Sequence, residues 1–153
     1  ALKSLGIFPS LFPMHTFYWG DWYKQIVGPE QAALISPMRS ILNTGLHATS
    51  HTDAPVALPN LMQVVWATVN RTSRSGTVIG PDERVTPYEA IKMITLWGAE
   101  QFGEQATKGS LEAGKLADLV VLSANPLTVD PMTINQIQVL ETIKEGKLVW
   151  ARK

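Results

Sequence analysis

The chain has 153 residues, enough for one domain with a real core or for pieces of two. Thirteen Lys and Arg against thirteen Asp and Glu leave zero formal net charge, which argues against nucleic acid or an anionic membrane as a partner, and no apolar run approaches the length of a membrane span. With no cysteine, disulfides and thiolate zinc sites are excluded, and any metal must be held by His, Asp, Glu or groups outside this chain.

The chain opens mid-pattern at Ala1-Leu2-Lys3-Ser4-Leu5-Gly6 without a start Met, as a piece cut from a longer protein would. The missing leader therefore says little about compartment, and a cytoplasmic location is the expected one. Gly6 to Phe12 is apolar and aromatic and predicts a short strand, with Pro9 at an end or a bulge. His15 follows, then Phe17-Tyr18-Trp19 and Gly20-Asp21. A His just past a strand end can line a pocket, or it can pack at the surface beside exposed aromatics. Gly28-Pro29-Glu30 opens a helical pattern in which Leu34, Ile35, Met38, Ile41 and Leu42 share a face, and Pro37 splits it into two short helices. Asn43-Thr44-Gly45 stops it.

Leu46 to Ser50 reads as a short buried strand, and His51-Thr52-Asp53 stands at its carboxyl end, where Ala54-Pro55 stop it. A carboxylate beside an imidazole at such a place can serve as a metal ligand or a general base. The same residues also suit a turn in which Asp53 caps a helix or binds nearby amides, and the residues alone favour that plainer reading. His47 lies four residues from His51, so strand alternation would let both face the same way.

Pro59-Asn60 opens the next helix, with Leu61, Val64, Val65, Thr68 and Val69 on one face, Trp66 to the side, and Arg71 and Arg74 just beyond its end. Residues 72–84 read as a loop. Thr86-Pro87-Tyr88-Glu89 is a capping box with Pro at the first helical position. The helix it starts is expected to run to about Phe102, to bury Ile91, Ile94, Thr95 and Gly98 or Ala99, to use Gly98 for a close approach, and to stop at Gly103. From Thr107 the composition turns small and polar. Leu119 to Leu122 then reads as a strand buried on both faces, and 137–151 as a β-hairpin turning at Glu145-Gly146. No helical pattern follows Gly103, so an α/β part over 1–106 and an all-β part over 107–153 are expected.

The run Gly109-Ser110-Leu111-Glu112-Ala113-Gly114-Lys115-Leu116-Ala117-Asp118-Leu119, with Asn125-Pro126 and Glu141-Thr142-Ile143-Lys144-Glu145-Gly146-Lys147, closely resembles the C-terminal end of metal-dependent amidohydrolases. Three earlier stretches are similar to the YtcJ-like (amidohydrolase 3) branch: Pro13-Met14-His15 with Trp19-Gly20-Asp21, His51-Thr52-Asp53-Ala54-Pro55-Val56, and Glu83 to Ala90. The resemblance covers essentially the whole chain in the right order. It implies an α/β fold: the last two strand-helix units of a (β/α)8 TIM-like barrel over 1–106, incomplete here, plus strands of a small β-sandwich over 107–153. It also implies that Asp53 contacts a divalent metal, with zinc the expected one, and takes a proton from the metal-bound water for delivery to the leaving group. His51 would orient Asp53 or touch substrate, and His15 would face the substrate side of the barrel mouth.

The resemblance further implies hydrolysis of a carbon–nitrogen bond in a small-molecule amide of the N-acyl or formamide type. The aromatics 17–19, Arg71 and Arg74 are the other candidates for specificity. Against it stands the histidine count: His15, His47 and His51 are the only three, and the superfamily's His-x-His pair and bridging ligand are not among these residues. Two strand-helix units also cannot close a barrel, so open strand edges would require partners, self-association as a homo-oligomer, or a rearranged fold. The competing readings are a catalytically inactive fragment that only binds or self-associates, and a scaffold protein whose barrel has lost its chemistry.

Overall fold

The computed structural model of the chain describes residues 2–153. Two small sheets carry the β-structure, one parallel and one antiparallel. The parallel pair is β1 (Ser10–Leu11) and β2 (Thr49–Ser50), in register Ser10 to Thr49 and Leu11 to Ser50. Both are shorter than the runs 6–12 and 46–50 anticipate. Pro9 stands just before β1, where its missing N–H costs nothing and its carbonyl still accepts from Thr49 N at 3.0 Å.

Three helices connect the two strands: α1 (Met14–Ile26), α2 (Pro29–Ala33) and α3 (Met38–Asn43). Pro29 begins α2, and Pro37 separates α2 from α3 as expected. Helix α1 is a correction to the sequence reading, which left His15 to Ile26 without regular structure. Its aromatics favour strands, and Gly20 weakens a helix. Tertiary packing overrides both: a Cβ on Gly20 would stand 2.7 Å from Ile79, so the glycine lets the 72–80 loop lie directly on the helix.

After β2, α4 (Leu61–Asn70) is capped by Asn60, whose side chain accepts from Gln63 N at 3.1 Å. Every residue from Val64 to Asn70 is buried, so α4 is a central helix and not a one-sided one; Leu61 alone of the expected face is exposed. The capping box forms at α5 (Pro87–Ile94), with Thr86 and Glu89 each satisfying the other's backbone amide. The helix does not run on to Phe102. Thr95 breaks it at φ −129°, ψ −92°, its hydroxyl donating back to Ile91 O at 2.8 Å, and α6 (Leu96–Gln101) continues beyond. Thr95 is itself exposed. Gly98 meets nothing within 4 Å, so no close approach uses it. Gly103 ends α6 at φ 72°.

The antiparallel sheet has the order β3 (Leu119–Leu122), β4 (Val139–Lys144), β5 (Lys147–Ala151). The hairpin forms as read, with Glu145 and Gly146 both at positive φ, as a two-residue turn of the right twist requires. Strand β3 is not buried on both faces: Val120 is 57% and Val121 40% exposed, because β3 is an edge strand and nothing described lies over them. A 3-10 stretch, Pro131–Gln136, also appears where no helical pattern was read. It packs on α4, Trp66 Nε1 donating to Met132 O at 3.0 Å, and it carries Ile134 into the same core as Met62, Val65, Met93 and Trp97.

Candidate functional site

Because β1 and β2 are parallel neighbours in near-zero stagger, their carboxyl ends finish side by side. His51 N donates to Leu11 O at 3.0 Å, and beyond that bond the chain leaves β1 through Phe12-Pro13 and β2 through His51-Thr52. In α/β folds, sites form at the carboxyl ends of parallel strands. Here that edge brings His15, His51 and Asp53 together.

Phe12, buried at 7% exposure, stands between the two imidazoles. His15 meets its ring edge-on at 4.7 Å between centroids, and His51 stacks on it at 5.7 Å and 15°. His15 also meets Trp19 at 5.6 Å and Tyr23 at 6.1 Å, the residues one and two turns further along the same face of α1. Ser10 Oγ and His51 Nδ1 share a hydrogen bond of 2.8 Å. That contact fixes the ring and points Nε2 as the nitrogen left for other work. Burial lowers the pKa of His15; the Asp53 carboxylate opposes this and His51 adds a smaller downward push. His15 is therefore neutral at neutral pH.

Asp53 is exposed and sits in the left-handed region at φ 53°, its carbonyl accepting from Val56 N at 2.7 Å. Its carboxylate takes no hydrogen bond among the described residues, and His15 is the group whose titration it moves. The imidazole and carboxylate donors are of the type zinc accepts. Among the described residues, however, no three of His, Asp and Glu gather as a ligand set.

Other expected contributors go elsewhere. His47 does not join His51: its Nδ1 pairs with Glu100 at 2.7 Å and its ring stacks on Trp97 at 4.6 Å. Arg71 is 1% exposed and cannot meet a substrate. Arg74 lies over Tyr18 at 6.0 Å, on the flank of α1. Of the aromatics 17–19, Trp19 reaches His15, while Phe17 packs on Trp66. The sequence reading passed over Ser10, Phe12 and Tyr23. The signals were there in the two-residue spacing of Ser10 and Phe12 along a strand and the helical spacing of His15, Trp19 and Tyr23. A cleft of about 1170 Å³ lies away from this edge, between Met62, Ile94, Leu122, Ile137 and Trp150. It is mainly apolar and holds no imidazole, so size alone does not mark the chemistry here.

Comparison with known proteins gives the following. The family model described as the amidohydrolase family matches residues 1–150. An N-substituted formamide deformylase from Arthrobacter pascens is 33% identical over 152 residues, which are 99% of this chain and 28% of the relative. A putative amidohydrolase, YtcJ, from Bacillus subtilis (strain 168) is 23% identical over 134 residues, 86% of this chain and 25% of the relative. The crystal structure of an uncharacterized metal-dependent hydrolase from Pyrococcus furiosus superposes with a TM-score of 0.65 at 26% identity, covering 83% of this chain and 25% of that one. The chain thus spans about a quarter of the length of the proteins it matches. Among the described residues no helix is long and apolar enough to cross a membrane.

Proposed function

The chain belongs to the amidohydrolase family, as the match over residues 1–150 requires, and from that premise we propose that it forms part of a hydrolase of non-peptide carbon–nitrogen bonds. In this reading β1 and β2 are two strands of a (β/α)8 barrel completed by residues outside 1–153, and 107–153 contribute strands to a small sandwich beside it. The substrate is a small-molecule amide, and the similarity to an N-substituted formamide deformylase favours a formamide-like one. The observation that carries the reading is the convergence on one strand-end edge of His15, His51 and an Asp53 carboxylate that is unpaired among the described residues.

Asp53 would be both a metal ligand and the proton acceptor, its carboxylate left unbound by its neighbours and so available at Oδ. The remaining ligands would come from outside this chain, since the donors here fit in kind but not in number. A divalent metal such as zinc, when bound, lowers the pKa of its water to near 7, within reach of a carboxylate base. His51, fixed by Ser10, and neutral His15, backed by Trp19 and Tyr23, would line the substrate side. The neutral imidazole of His15 can donate to an amide oxygen or accept from its nitrogen without adding charge beside Asp53.

The test is Asp53→Asn in the full-length protein, assayed on an N-substituted formamide. The proton acceptor is lost while the side chain's size is kept, and kcat is expected to fall by about 100-fold or more. An unchanged rate removes Asp53 from the mechanism.

A further inference from the structure

Behind the strand-end edge lies a buried guanidinium that the proposed chemistry does not use. Arg71 follows α4 in the left-handed conformation at φ 51°, a position that glycine would fill more cheaply. Its side chain explains the choice. Nε donates to Ile79 O at 2.7 Å, Nη1 to Ser36 O at 2.9 Å, and Nη2 to Ile35 O at 2.7 Å and Ala33 O at 3.0 Å. Four carbonyls thus converge on one cation. Two of them, Ile35 O and Ser36 O, belong to the turn between α2 and α3, and Ala33 O ends α2 just before it, so the turn is held in place.

Ser36 in that turn is also left-handed, at φ 49°, a conformation seldom adopted by serine. Held so, its hydroxyl donates to Phe12 O at 2.8 Å. The same carbonyl accepts from His15 N at 3.3 Å. Phe12 O is thus the corner at which the chain leaves β1 for α1, and the ring of Phe12 is what both His15 and His51 pack against.

We propose that Ser36, locked in its strained turn by Arg71, is a positioning residue: its hydroxyl fixes the Phe12 corner and thereby the mutual placement of His15 and His51. This rests on the reading of that edge as the reactive one, but it is tested without it. Ser36→Ala removes the hydroxyl and leaves the positive φ strained, whereas Ser36→Gly removes the hydroxyl and relieves the strain. Proton cross-relaxation between the Phe12 ring and the two imidazoles is followed at one alkaline pH, where every imidazole is neutral. The stacking of His47 on Trp97, which shares no contact with Ser36, serves as the internal control.

Both variants are expected to lose the Phe12 contacts to His15 and His51 while keeping that of His47 to Trp97. A Ser36→Gly chain that keeps both Phe12 contacts overturns the proposal, including the case in which only Ser36→Ala loses them, since backbone strain and not the hydroxyl would then be the cause. A lowered melting temperature with unmoved ring contacts means a purely structural role and also overturns it. Loss of the contacts in Ser36→Gly with formamide hydrolysis unchanged upholds the positioning and counts against the reactive-edge reading instead.

Discussion

A knot of hydrogen-bonded charged residues and the lone carboxylate of Asp53 are built on opposite rules. Arg39, Glu83, Arg71, Arg84 and Glu89 form the knot, with Arg71 and Glu83 buried in it. Arg39 grips both Glu89 oxygens at 2.9 and 2.6 Å, Glu83 binds Ser40 through N at 2.9 Å and through Oγ, Arg84 Nε donates to Asn70 O at 3.0 Å, and Arg71 takes its four carbonyls. Asp53, by contrast, stands exposed with no hydrogen bond to its carboxylate among the described residues. Satisfied buried charge costs much to disturb and does no chemistry. An unanswered carboxylate contributes little to the fold and stays free to take a proton. If this contrast holds, substitutions in the knot should move stability, and substitution at Asp53 should move only the reaction.

The largest effect belongs at Arg71. Burial pushes its pKa down to about 10, against the opposing pull of Glu83, so it is still charged at neutral pH and its carbonyl partners hold that charge in place. Arg71→Met keeps most of the stem volume but strands four carbonyls, that of Ile79 buried and the other three partly so, and a loss of about 3–5 kcal/mol in urea unfolding is expected. A cost below about 1 kcal/mol would place Arg71 among ordinary surface arginines and dissolve the contrast.

Next comes the Arg39–Glu89 pair. The Arg39 hydrogen bonds, reinforced by those from Thr86, lower Glu89 from 4.5 to about 2. A depressed carboxylate stabilises the fold above its unfolded pKa, and that stability is lost as pH falls from about 4.5 through about 2. With the Glu89 side chain 23% exposed, solvent screening reduces the contribution to about 2 kcal/mol. Glu89→Gln should flatten that acid limb relative to the unsubstituted chain, read as stability against pH. A limb of unchanged slope would assign it to other carboxylates, such as Asp21 under its Ser75 and Ser73 hydroxyls. Smaller again is Thr86→Ala, which removes the α5 cap but leaves Arg39 on Glu89, for about 1 kcal/mol in thermal unfolding.

These magnitudes track what the sequence could and could not disclose. The capping box, the Pro37 break and the Glu145-Gly146 turn were legible because each is a local rule satisfied by adjacent residues. So was the placement of His51 and Asp53 at a strand's carboxyl end, together with the order of the family-like segments. Helix α1 was not, because its aromatic, Gly-containing stretch has weak local helical signals and its glycine is matched to Ile79, a residue far along the chain. The break at Thr95 depends on a hydroxyl turning back to Ile91 O, which no period announces. Arg71 is a candidate for specificity by sequence but not in the structure, since nothing along the chain says that carbonyls 33, 35, 36 and 79 converge on it. The stacking of His51 on Phe12 was not legible either, because it joins residues about forty positions apart, although the spacing of Ser10 and Phe12 put both near the strand end.

The smallest stability change is the most informative one. Asp53 occupies the left-handed region, which Asn tolerates as readily as Asp. The backbone bond of its turn, Val56 N to Asp53 O, does not involve the side chain, and among the described residues the carboxylate takes no hydrogen bond that Asn would lose. Asp53→Asn should therefore leave unfolding stability within about 0.5 kcal/mol. His15 should notice the change. Without the neighbouring carboxylate its pKa falls further, since Asp53 is what opposes the effect of burial. His15 then stays neutral to lower pH, measurable as a downward displacement of its imidazole titration with that of His47 unmoved. A variant that loses both activity and several kcal/mol would mean that Asp53 holds the turn together, and the division between a charge spent on folding and a charge kept for chemistry would not describe this molecule.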